Sequence, residues 1–214
     1  MNYQTILFDL DGTLTDPKEG ITKSVAYALD YFGIHEEDLN SLVKFIGPPL
    51  AVSFPEFYGL TEEQTAVAVA KYRERFSDVG WAENRPFQGV DKLLEELKEA
   101  GKQLIVATSK PEVYAVKIME HFGLSRYFDH ICGPALDAPK GYGKTQVIRD
   151  ALRRCGAASA IMVGDRLHDV EGAHEAGLPC VGVLWGYGSR AEHEACGADH
   201  IVSDFAELKT LLLK

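Results

Sequence analysis

The stretch Phe8-Asp9-Leu10-Asp11-Gly12-Thr13-Leu14-Thr15-Asp16 follows a short apolar run and carries two carboxylates two residues apart. Side chains at positions i and i+2 of a strand point the same way, so Asp9 and Asp11 can both reach one site at the end of the strand. Gly12, directly after them, permits a tight turn of the backbone. One carboxylate of such a pair can attack as a nucleophile while the other transfers a proton.

Short runs rich in β-forming residues alternate with helical patterns over most of the chain, which is typical of a parallel α/β sheet. The predicted strands are Thr5–Asp9, Gln103–Thr108, His130–Cys132, Ala160–Gly164, Cys180–Leu184 and His200–Val202. The predicted helices between them lie near Val90–Ala100, Pro111–Phe122, Lys144–Arg154, Asp169–Ala176 and Phe205–Leu213.

The segment 17–82 interrupts this alternation with helical periodicity alone, at Ile21–Tyr31 and Glu62–Phe76, and with a third predicted helix at Asp38–Lys44. We therefore expect two domains: an α/β core formed by residues 1–16 and 83–214, and an all-helical insertion formed by residues 17–82. A helical module inserted directly after a pair of functional carboxylates is expected to act as a cap over the site.

The overall composition is acidic, with 32 Asp and Glu against 22 Lys and Arg. Nucleic acids and anionic membranes are bound by basic surfaces, so we expect neither as a partner. The sequence contains no run of about twenty apolar residues, so we expect no transmembrane helix. The first residues lack the basic start of a signal peptide, so we expect no such peptide. The four cysteines have no CxxC spacing, which favours reduced thiols in a cytoplasmic protein.

The segment Leu104-Ile105-Val106-Ala107-Thr108-Ser109-Lys110-Pro111 ends a predicted strand with hydroxyl side chains and leads into a helix. A hydroxyl at a strand end, next to the backbone N–H groups of a helix N-terminus, forms a cradle for an anion. Pro111 suits the first turn of that helix. This pattern predicts an anion-binding site near Thr108 and Ser109.

A further acidic motif, Gly164-Asp165-Arg166-Leu167-His168-Asp169, follows an apolar strand. Ligands of open α/β sheets bind at such strand ends. Two like charges about 4 Å apart repel by roughly 4 kcal/mol at an effective dielectric near 20, so a site that gathers Asp9, Asp11, Asp165 and Asp169 needs a cation. Carboxylate oxygens are ligands that suit a hard divalent cation such as Mg²⁺.

These three motifs, around Asp9, Thr108 and Asp165, resemble the first, second and fourth motifs of the haloacid dehalogenase-like superfamily, most of whose members are Mg-dependent phosphatases. The third motif of that superfamily supplies a lysine at the start of a helix. The resemblance covers essentially the whole chain and extends to the phosphoglycolate phosphatase-like subgroup with a small helical cap. It implies a three-layer, Rossmann-like parallel-sheet core with an inserted all-helical cap. It also implies that a small phosphorylated metabolite is the substrate.

The resemblance further implies a role for each motif residue. Asp9 would attack phosphorus and form an aspartyl-phosphate, while Asp11 would protonate the leaving group and later activate water. Mg²⁺ would be held by Asp9, the Asp11 carbonyl and Asp165, with Asp169 orienting the metal shell. Thr108, Ser109 and Gly12 would bind the phosphoryl group together with the lysine of the third motif.

Two lysines compete for that third motif, Lys140 and Lys144. Lys144 directly precedes an amphipathic helical pattern and occupies the position that the motif lysine takes in phosphoglycolate phosphatase-like proteins. We therefore favour Lys144. Arg166 and His168 lie between Asp165 and Asp169, and for His168 we favour a supporting or surface role over catalysis. The sequence leaves open whether Arg166 contacts the substrate or pairs with an acid.

In the insertion, Phe45-Ile46-Gly47-Pro48-Pro49-Leu50 predicts a rigid, helix-breaking turn. A similar segment faces the active site in phosphoglycolate phosphatase-like proteins. We therefore expect Phe45 and Pro48 to contact the leaving group of the substrate and to set which leaving group fits.

The sequence leaves the substrate open. Phosphoglycolate-like compounds are the first hypothesis, and nucleoside monophosphates, as in a 5'-nucleotidase, are the second. A phosphomutase uses the same core and is a less favoured alternative. A dehalogenase has no alkoxide to protonate and would not need Asp11, and a phosphonatase would need a cap lysine, for which only Lys44 lies near the Gly-Pro-Pro turn.

Overall fold

The computed structural model describes residues 3–139, 141–156 and 159–214. The chain forms two compact units, one made of Met1–Asp16 with Pro86–Lys214 and the other of Pro17–Arg85. The second unit thus extends past residue 82, where the sequence placed the boundary. Two-residue strands, β2 (Thr15–Asp16) and β3 (Arg85–Pro86), lie at the points where the chain passes from one unit to the other.

The first unit is built on a six-stranded sheet in the order β5-β4-β1-β6-β7-β8, in which every described neighbour pair is parallel. The strands are β1 (Thr5–Phe8), β4 (Gln103–Ala107), β5 (His130–Cys132), β6 (Ala160–Gly164), β7 (Cys180–Val183) and β8 (His200–Val202). The predicted parallel α/β core is therefore confirmed. The first strand lies inside the sheet, and the chain adds strands to one side of it and then to the other.

The helices of this unit follow the predicted alternation. They are α4 (Val90–Glu99), α5 (Glu112–His121), α6 (Lys144–Cys155), α7 (Leu167–Glu175), α8 (Arg190–Ala195) and α9 (Phe205–Leu212), with a 3₁₀ turn at Ser125–Tyr127. The short helix α8 was not predicted. The sequence does carry a signal for it in Ser189, a residue type that is favoured at helix N-caps. In the structure Ser189 accepts a hydrogen bond from the Glu192 N–H at 3.1 Å.

Both faces of the sheet are covered, which makes this unit three layers thick. Leu7 packs in a buried cluster with Ile148 of α6 and Val170 of α7. Its neighbours Ile6 and Phe8, which point to the opposite face, are no more than 1% exposed. Strands buried on both faces need continuous apolar runs, and β1, β4 and β6 have them.

The second unit is helical. It contains α1 (Lys18–Asp30), a 3₁₀ helix (Leu39–Phe45), α2 (Leu50–Tyr58), α3 (Glu62–Arg75) and a π-helical turn (Phe76–Gly80). The segment predicted as a helix at Asp38–Lys44 is 3₁₀ rather than α. The sequence reading missed α2, because two prolines precede it and Pro55 lies inside it.

Among the described residues, no helix combines the length and the hydrophobicity that a membrane span requires. All four cysteines are free thiols: Cys132 and Cys180 are buried, and Cys155 and Cys196 are half-buried.

Candidate active site

Three neighbouring strands of the sheet end next to side chains that the sequence predicts to be functional. Asp9 follows β1, Thr108 follows β4 and Asp165 follows β6, and β1 pairs with both of the other strands. Because all three strands are parallel, these residues meet at one edge of the sheet. The strand order reverses its direction of growth between β1 and β6, the position at which open α/β sheets bind ligands.

A tight turn places the second carboxylate of the first motif. The strand ends at Phe8, one residue earlier than predicted, and the Leu14 N–H then donates to the Leu10 carbonyl at 2.9 Å. Gly12 has a φ of +87°, and a Cβ at this position would lie 2.1 Å from Oδ2 of Asp165. The turn, rather than strand alternation, therefore sets where Asp11 lies, and it requires a glycine.

Lys144, the first residue of α6, reaches the site as a buried ammonium group. Its Nζ lies 2.7 Å from Oδ1 of Asp9 and 2.7 Å from Oδ1 of Asp169, and it donates to the Ala107 carbonyl at 3.0 Å. Burial opposes the charged form, but the carboxylates of Asp169 and Asp9 outweigh it and raise the pKa of Lys144 above its ordinary value. The lysine is therefore charged and links the first motif to the fourth.

Asp9, Asp165 and Asp169 form a buried acidic cluster in which one oxygen of each lies within 4.8 Å of the others. Burial is the main cause that raises the pKa of Asp9, and the charge of Asp169 adds to it. Burial also raises the pKa of Asp165 well above its ordinary value, together with the charges of Asp169 and Asp9. The cluster thus holds mutually repelling carboxylates.

These residues fit a hard divalent cation. Their donors are carboxylate oxygens, the ligands that Mg²⁺ prefers, and a single ammonium from Lys144 cannot balance three carboxylates. The side chain of Asp11 is not part of this cluster. Its Oδ2 lies 2.6 Å from Nζ of Lys110 instead.

Lys110 is a site residue that the sequence reading did not single out. Its side chain is 6% exposed, and its backbone N–H donates to Oγ1 of Thr108 at 3.2 Å. The available signal was its place in the second motif, two residues after Thr108. Thr108 itself is 1% exposed, and Ser109 is half-buried.

Asp165 is held from two sides. Its Oδ2 accepts the backbone N–H of Tyr187 at 2.8 Å, and Oγ1 of Thr13 lies 3.5 Å from its Oδ1. Trp185 donates its indole N–H to the Thr13 carbonyl at 3.0 Å. The loop after β7 therefore fixes both the aspartate and the turn that follows Asp11.

Gly164 explains the glycine of the fourth motif. A Cβ at this position would lie 2.2 Å from the carboxyl carbon of Asp169, so only a glycine lets that carboxylate fold back against the end of β6. The Arg166 N–H donates to Oδ2 of Asp169 at 3.1 Å and holds it there.

The question that the sequence left open for Arg166 has an answer in the structure. Its Nε donates to Oε1 of Glu192 at 2.9 Å, and the Leu167 N–H donates to the same oxygen at 2.8 Å. Arg166 therefore pairs with an acid of α8. His168 is half-buried in the first turn of α7.

The predicted cap residues lie in the second unit. Phe45 is only 2% exposed, and its ring lies 5.1 Å from the ring of Phe54 and 5.2 Å from that of Phe57, while Pro48 is half-buried. Lys44 places its ammonium 4.8 Å from the centre of the Phe57 ring. A role of Phe45 and Pro48 in substrate selection stays a prediction.

The competing lysine, Lys140, lies outside the described residues. The choice of Lys144 over Lys140 as the motif lysine therefore stays a prediction.

Comparison with known proteins agrees with this geometry. The sequence model of the haloacid dehalogenase-like hydrolase family matches residues 6–183. A 5'-nucleotidase of Pseudomonas aeruginosa is 47% identical over 214 residues, with 99% of this chain and 96% of that protein covered. A phosphoglycolate phosphatase of Agrobacterium fabrum is 31% identical, with 97% of this chain and 91% of that protein covered.

Solved structures agree as well. The crystal structure of a predicted phosphatase from Clostridium acetobutylicum is 48% identical and covers 100% of this chain and 99% of its own, with a TM-score of 0.96. The order of the motifs, the parallel core and these relatives lead to one conclusion: the chain belongs to the haloacid dehalogenase-like hydrolase family, and it is a phosphatase.

Proposed function

We propose that the protein is a Mg²⁺-dependent phosphomonoester hydrolase that works through an aspartyl-phosphate on Asp9. The observation that carries this proposal is the environment of the Asp9 carboxylate. Asp9 directly follows a central strand, its Oδ1 lies 2.7 Å from the Lys144 ammonium, and it shares a cluster with Asp165 and Asp169. A nucleophile, a fixed positive charge and a set of metal ligands thus coincide at one sheet edge.

In the first step, an oxygen of Asp9 forms a bond to phosphorus while the bond from phosphorus to the leaving oxygen breaks. Lys144 holds Oδ1 of Asp9, which limits the rotation of the carboxylate and keeps the nucleophile in place. Water then attacks the phosphorus of the aspartyl-phosphate, which releases inorganic phosphate and restores Asp9.

Asp11 is the proposed proton carrier. Burial, which outweighs the nearby charge of Lys110, raises the pKa of Asp11 above its ordinary value. A carboxyl group with a raised pKa can keep its proton closer to neutral pH and donate it to the leaving oxygen. The resulting carboxylate then accepts a proton from the attacking water.

Positive charge and hydrogen-bond donors stabilise the transferred phosphoryl group in this proposal. Lys144 supplies a charge, and Thr108, at the end of β4, supplies a hydroxyl next to the N-terminus of α5. Mg²⁺, when bound by Asp9, Asp165, Asp169 and the Asp11 carbonyl, supplies the divalent charge that phosphoryl transfer requires.

For the substrate, we propose nucleoside 5'-monophosphates first and phosphoglycolate second, the reverse of the order expected from the sequence. The named 5'-nucleotidase is more similar to this chain than the named phosphoglycolate phosphatase, at 47% against 31% identity. Phosphoglycolate also carries a carboxylate, which a lysine could bind, but two lysines of the helical unit already contact other groups. Lys23 pairs with Glu19 at 2.5 Å and Glu83 at 3.1 Å, and Lys44 lies over aromatic rings.

Phosphate release from a panel of phosphomonoesters with Mg²⁺ tests this proposal. The panel contains nucleoside 5'-monophosphates, phosphoglycolate, sugar phosphates and an aryl phosphate, and Asp9→Asn is the control for contaminating phosphatase. We expect turnover in the wild type that the variant lacks. Release of no phosphate from any compound would refute the proposal, and a requirement for a catalytic amount of sugar bisphosphate would indicate a phosphomutase instead.

A further inference from the structure

The two oxygens of the Asp11 carboxylate have different surroundings. Oδ2 lies 2.6 Å from Nζ of Lys110, and both side chains are nearly buried, at 11% and 6% exposure. Oδ1 is also buried, and among the described residues it has no hydrogen-bond partner. The Lys110 ammonium thus holds one oxygen, while the other oxygen makes no hydrogen bond within the described residues.

A buried carboxylate oxygen without a partner carries a desolvation penalty of about 1–3 kcal/mol or more, so it calls for an explanation. An oxygen that must exchange a proton with substrate and water explains the arrangement, since its partner is then the reacting molecule.

Lys110 is itself fixed by the second motif. Its backbone N–H donates to Oγ1 of Thr108 at 3.2 Å, and Pro111 follows directly and restricts the chain. The backbone of Lys110 is therefore fixed just after the end of β4, the strand that pairs with β1. From there the long Lys110 side chain reaches the turn after β1 and can orient the carboxylate of Asp11.

We infer that Lys110 is a positioning residue for Asp11: it binds Oδ2 and so leaves Oδ1 to deliver a proton to the leaving oxygen of the substrate. This inference rests on the proposed function. In the step concerned, the O–H bond of the Asp11 carboxyl breaks and its proton bonds to the leaving oxygen, which keeps the electron pair of the broken P–O bond. Asp11 becomes a carboxylate, and the Lys110 ammonium compensates its new charge.

This role predicts a dependence on the leaving group. An alkoxide leaves slowly unless it is protonated, whereas the phenolate of p-nitrophenyl phosphate leaves readily without a proton. General acid catalysis contributes about 10²–10⁴-fold to a rate, so its impairment is visible where the leaving group needs it. A lysine that contacted the phosphoryl group directly would affect both kinds of substrate alike.

The experiment compares kcat/KM for an alkyl phosphomonoester and for p-nitrophenyl phosphate in wild type, Lys110→Met and Lys110→Arg. We expect Lys110→Met to lose at least about tenfold more with the alkyl ester than with the aryl ester, and Lys110→Arg to recover part of that difference. Lys102→Met is the matched control, because Lys102 is a buried lysine of the same unit that donates to the Tyr3 carbonyl at 2.8 Å. Its ratio between the two substrates should equal that of the wild type.

A double-mutant cycle with Asp11→Asn completes the test. If Lys110 acts through Asp11, Lys110→Met should cause no further loss with the alkyl ester once Asp11 is changed. Equal losses with both esters, or an undiminished loss in the Asp11→Asn background, would overturn the inference. Should Lys110→Met not fold, Lys110→Gln replaces it in the same comparison. A wild type that hydrolyses neither ester would refute the proposed function itself, whereas equal losses in an active enzyme refute only the role of Lys110.

Discussion

The ammonium group of Lys144 lies 2.7 Å from Oδ1 of Asp9, although 135 positions separate the two residues in the chain. The sheet brings them together, because β1 is central and α6 packs against β4, the strand next to it, and against β5. The same ammonium lies 2.7 Å from Asp169, so one cation links the two acidic motifs. A change at Asp9, Asp169 or Lys144 therefore alters the surroundings of the other two side chains.

Asp9→Asn should abolish turnover, because an amide is a poor nucleophile. Removal of one charge from a crowded, buried acidic cluster should leave the melting temperature unchanged or raise it. Phosphate release and thermal unfolding, with the exposed Asp91→Asn as control, check both statements. Residual activity above about one per cent of the wild type, a loss smaller than that expected of an essential nucleophile, would contradict the role of Asp9.

Activity should require Mg²⁺, and Ca²⁺ should inhibit, because Ca²⁺ takes six to eight looser ligands and would disturb in-line geometry at Asp9. Mg²⁺ should also raise the melting temperature, since a ligand at 100 times its Kd stabilises by about 2.7 kcal/mol. Asp165→Asn should reduce this shift, which calorimetry can follow without any substrate. Full activity after exhaustive chelation would remove the metal from the proposed mechanism.

Lys144→Ala should lower kcat by at least about two orders of magnitude, the scale expected when one donor to a reacting charge is removed. Lys140→Ala should lose far less. The two variants are compared under saturating Mg²⁺, with circular dichroism to verify folding. The reverse ranking would show that Lys140 is the lysine of the third motif.

Pro48→Ala should change relative kcat/KM among phosphomonoesters with different leaving groups and leave a small aryl phosphate nearly unaffected. Phe45→Ala is a poor probe of selectivity, because truncation of a buried aromatic ring costs about 3–5 kcal/mol of stability. Val52→Ala, at an exposed position of the same unit, is the control. A uniform loss across all substrates would mean that the Gly-Pro-Pro turn is structural.

Glu83→Gln should lower the free energy of unfolding by about 1–2 kcal/mol at pH 7, because it breaks charged hydrogen bonds of partly buried groups. Glu83 accepts from Arg75 at 2.7 and 3.0 Å and from Lys23 at 3.1 Å. The Arg75 hydrogen bonds are the main cause that lowers the pKa of Glu83 below its ordinary value of 4.5.

The sign of the pH effect follows from that shift. A carboxyl group with a lowered pKa in the folded state contributes stability above pH 4.5 and loses it as the pH falls through the folded-state pKa. The difference between wild type and variant should therefore shrink in acid. Urea unfolding at pH 7 and in acid, with the exposed Glu56→Gln as control, measures this difference in the free energy of unfolding. A difference that does not depend on pH would contradict the ion pair as the source of the stability.

Much of the fold could be predicted from the sequence because its determinants are local. Three strands, His130–Cys132, Ala160–Gly164 and His200–Val202, occur with the predicted bounds, since apolar runs between turn residues define them. Helix α2 was missed because Pro55 argues against a helix, and only packing within the unit shows that the segment is helical.

For the candidate site, the sequence by itself determined which residues stand at strand ends. The motif around Asp9 and the motif around Asp165 are contiguous, and the end of a buried parallel strand is recognisable from its apolar residues. A short motif carries its own geometry, so residue type and spacing were sufficient to nominate these carboxylates and the lysine at the start of α6.

Only the tertiary structure decided how these side chains are partnered. Three contacts at the site join segments that are distant in the chain: the ion pair of Lys110 with Asp11, the hydrogen bond from the Tyr187 N–H to Asp165, and the pairing of Arg166 with Glu192. Partners of this kind depend on strand order and on the direction of each side chain at the sheet edge. Neither is encoded by local periodicity, because both arise only when non-adjacent strands pair and the helices pack on them.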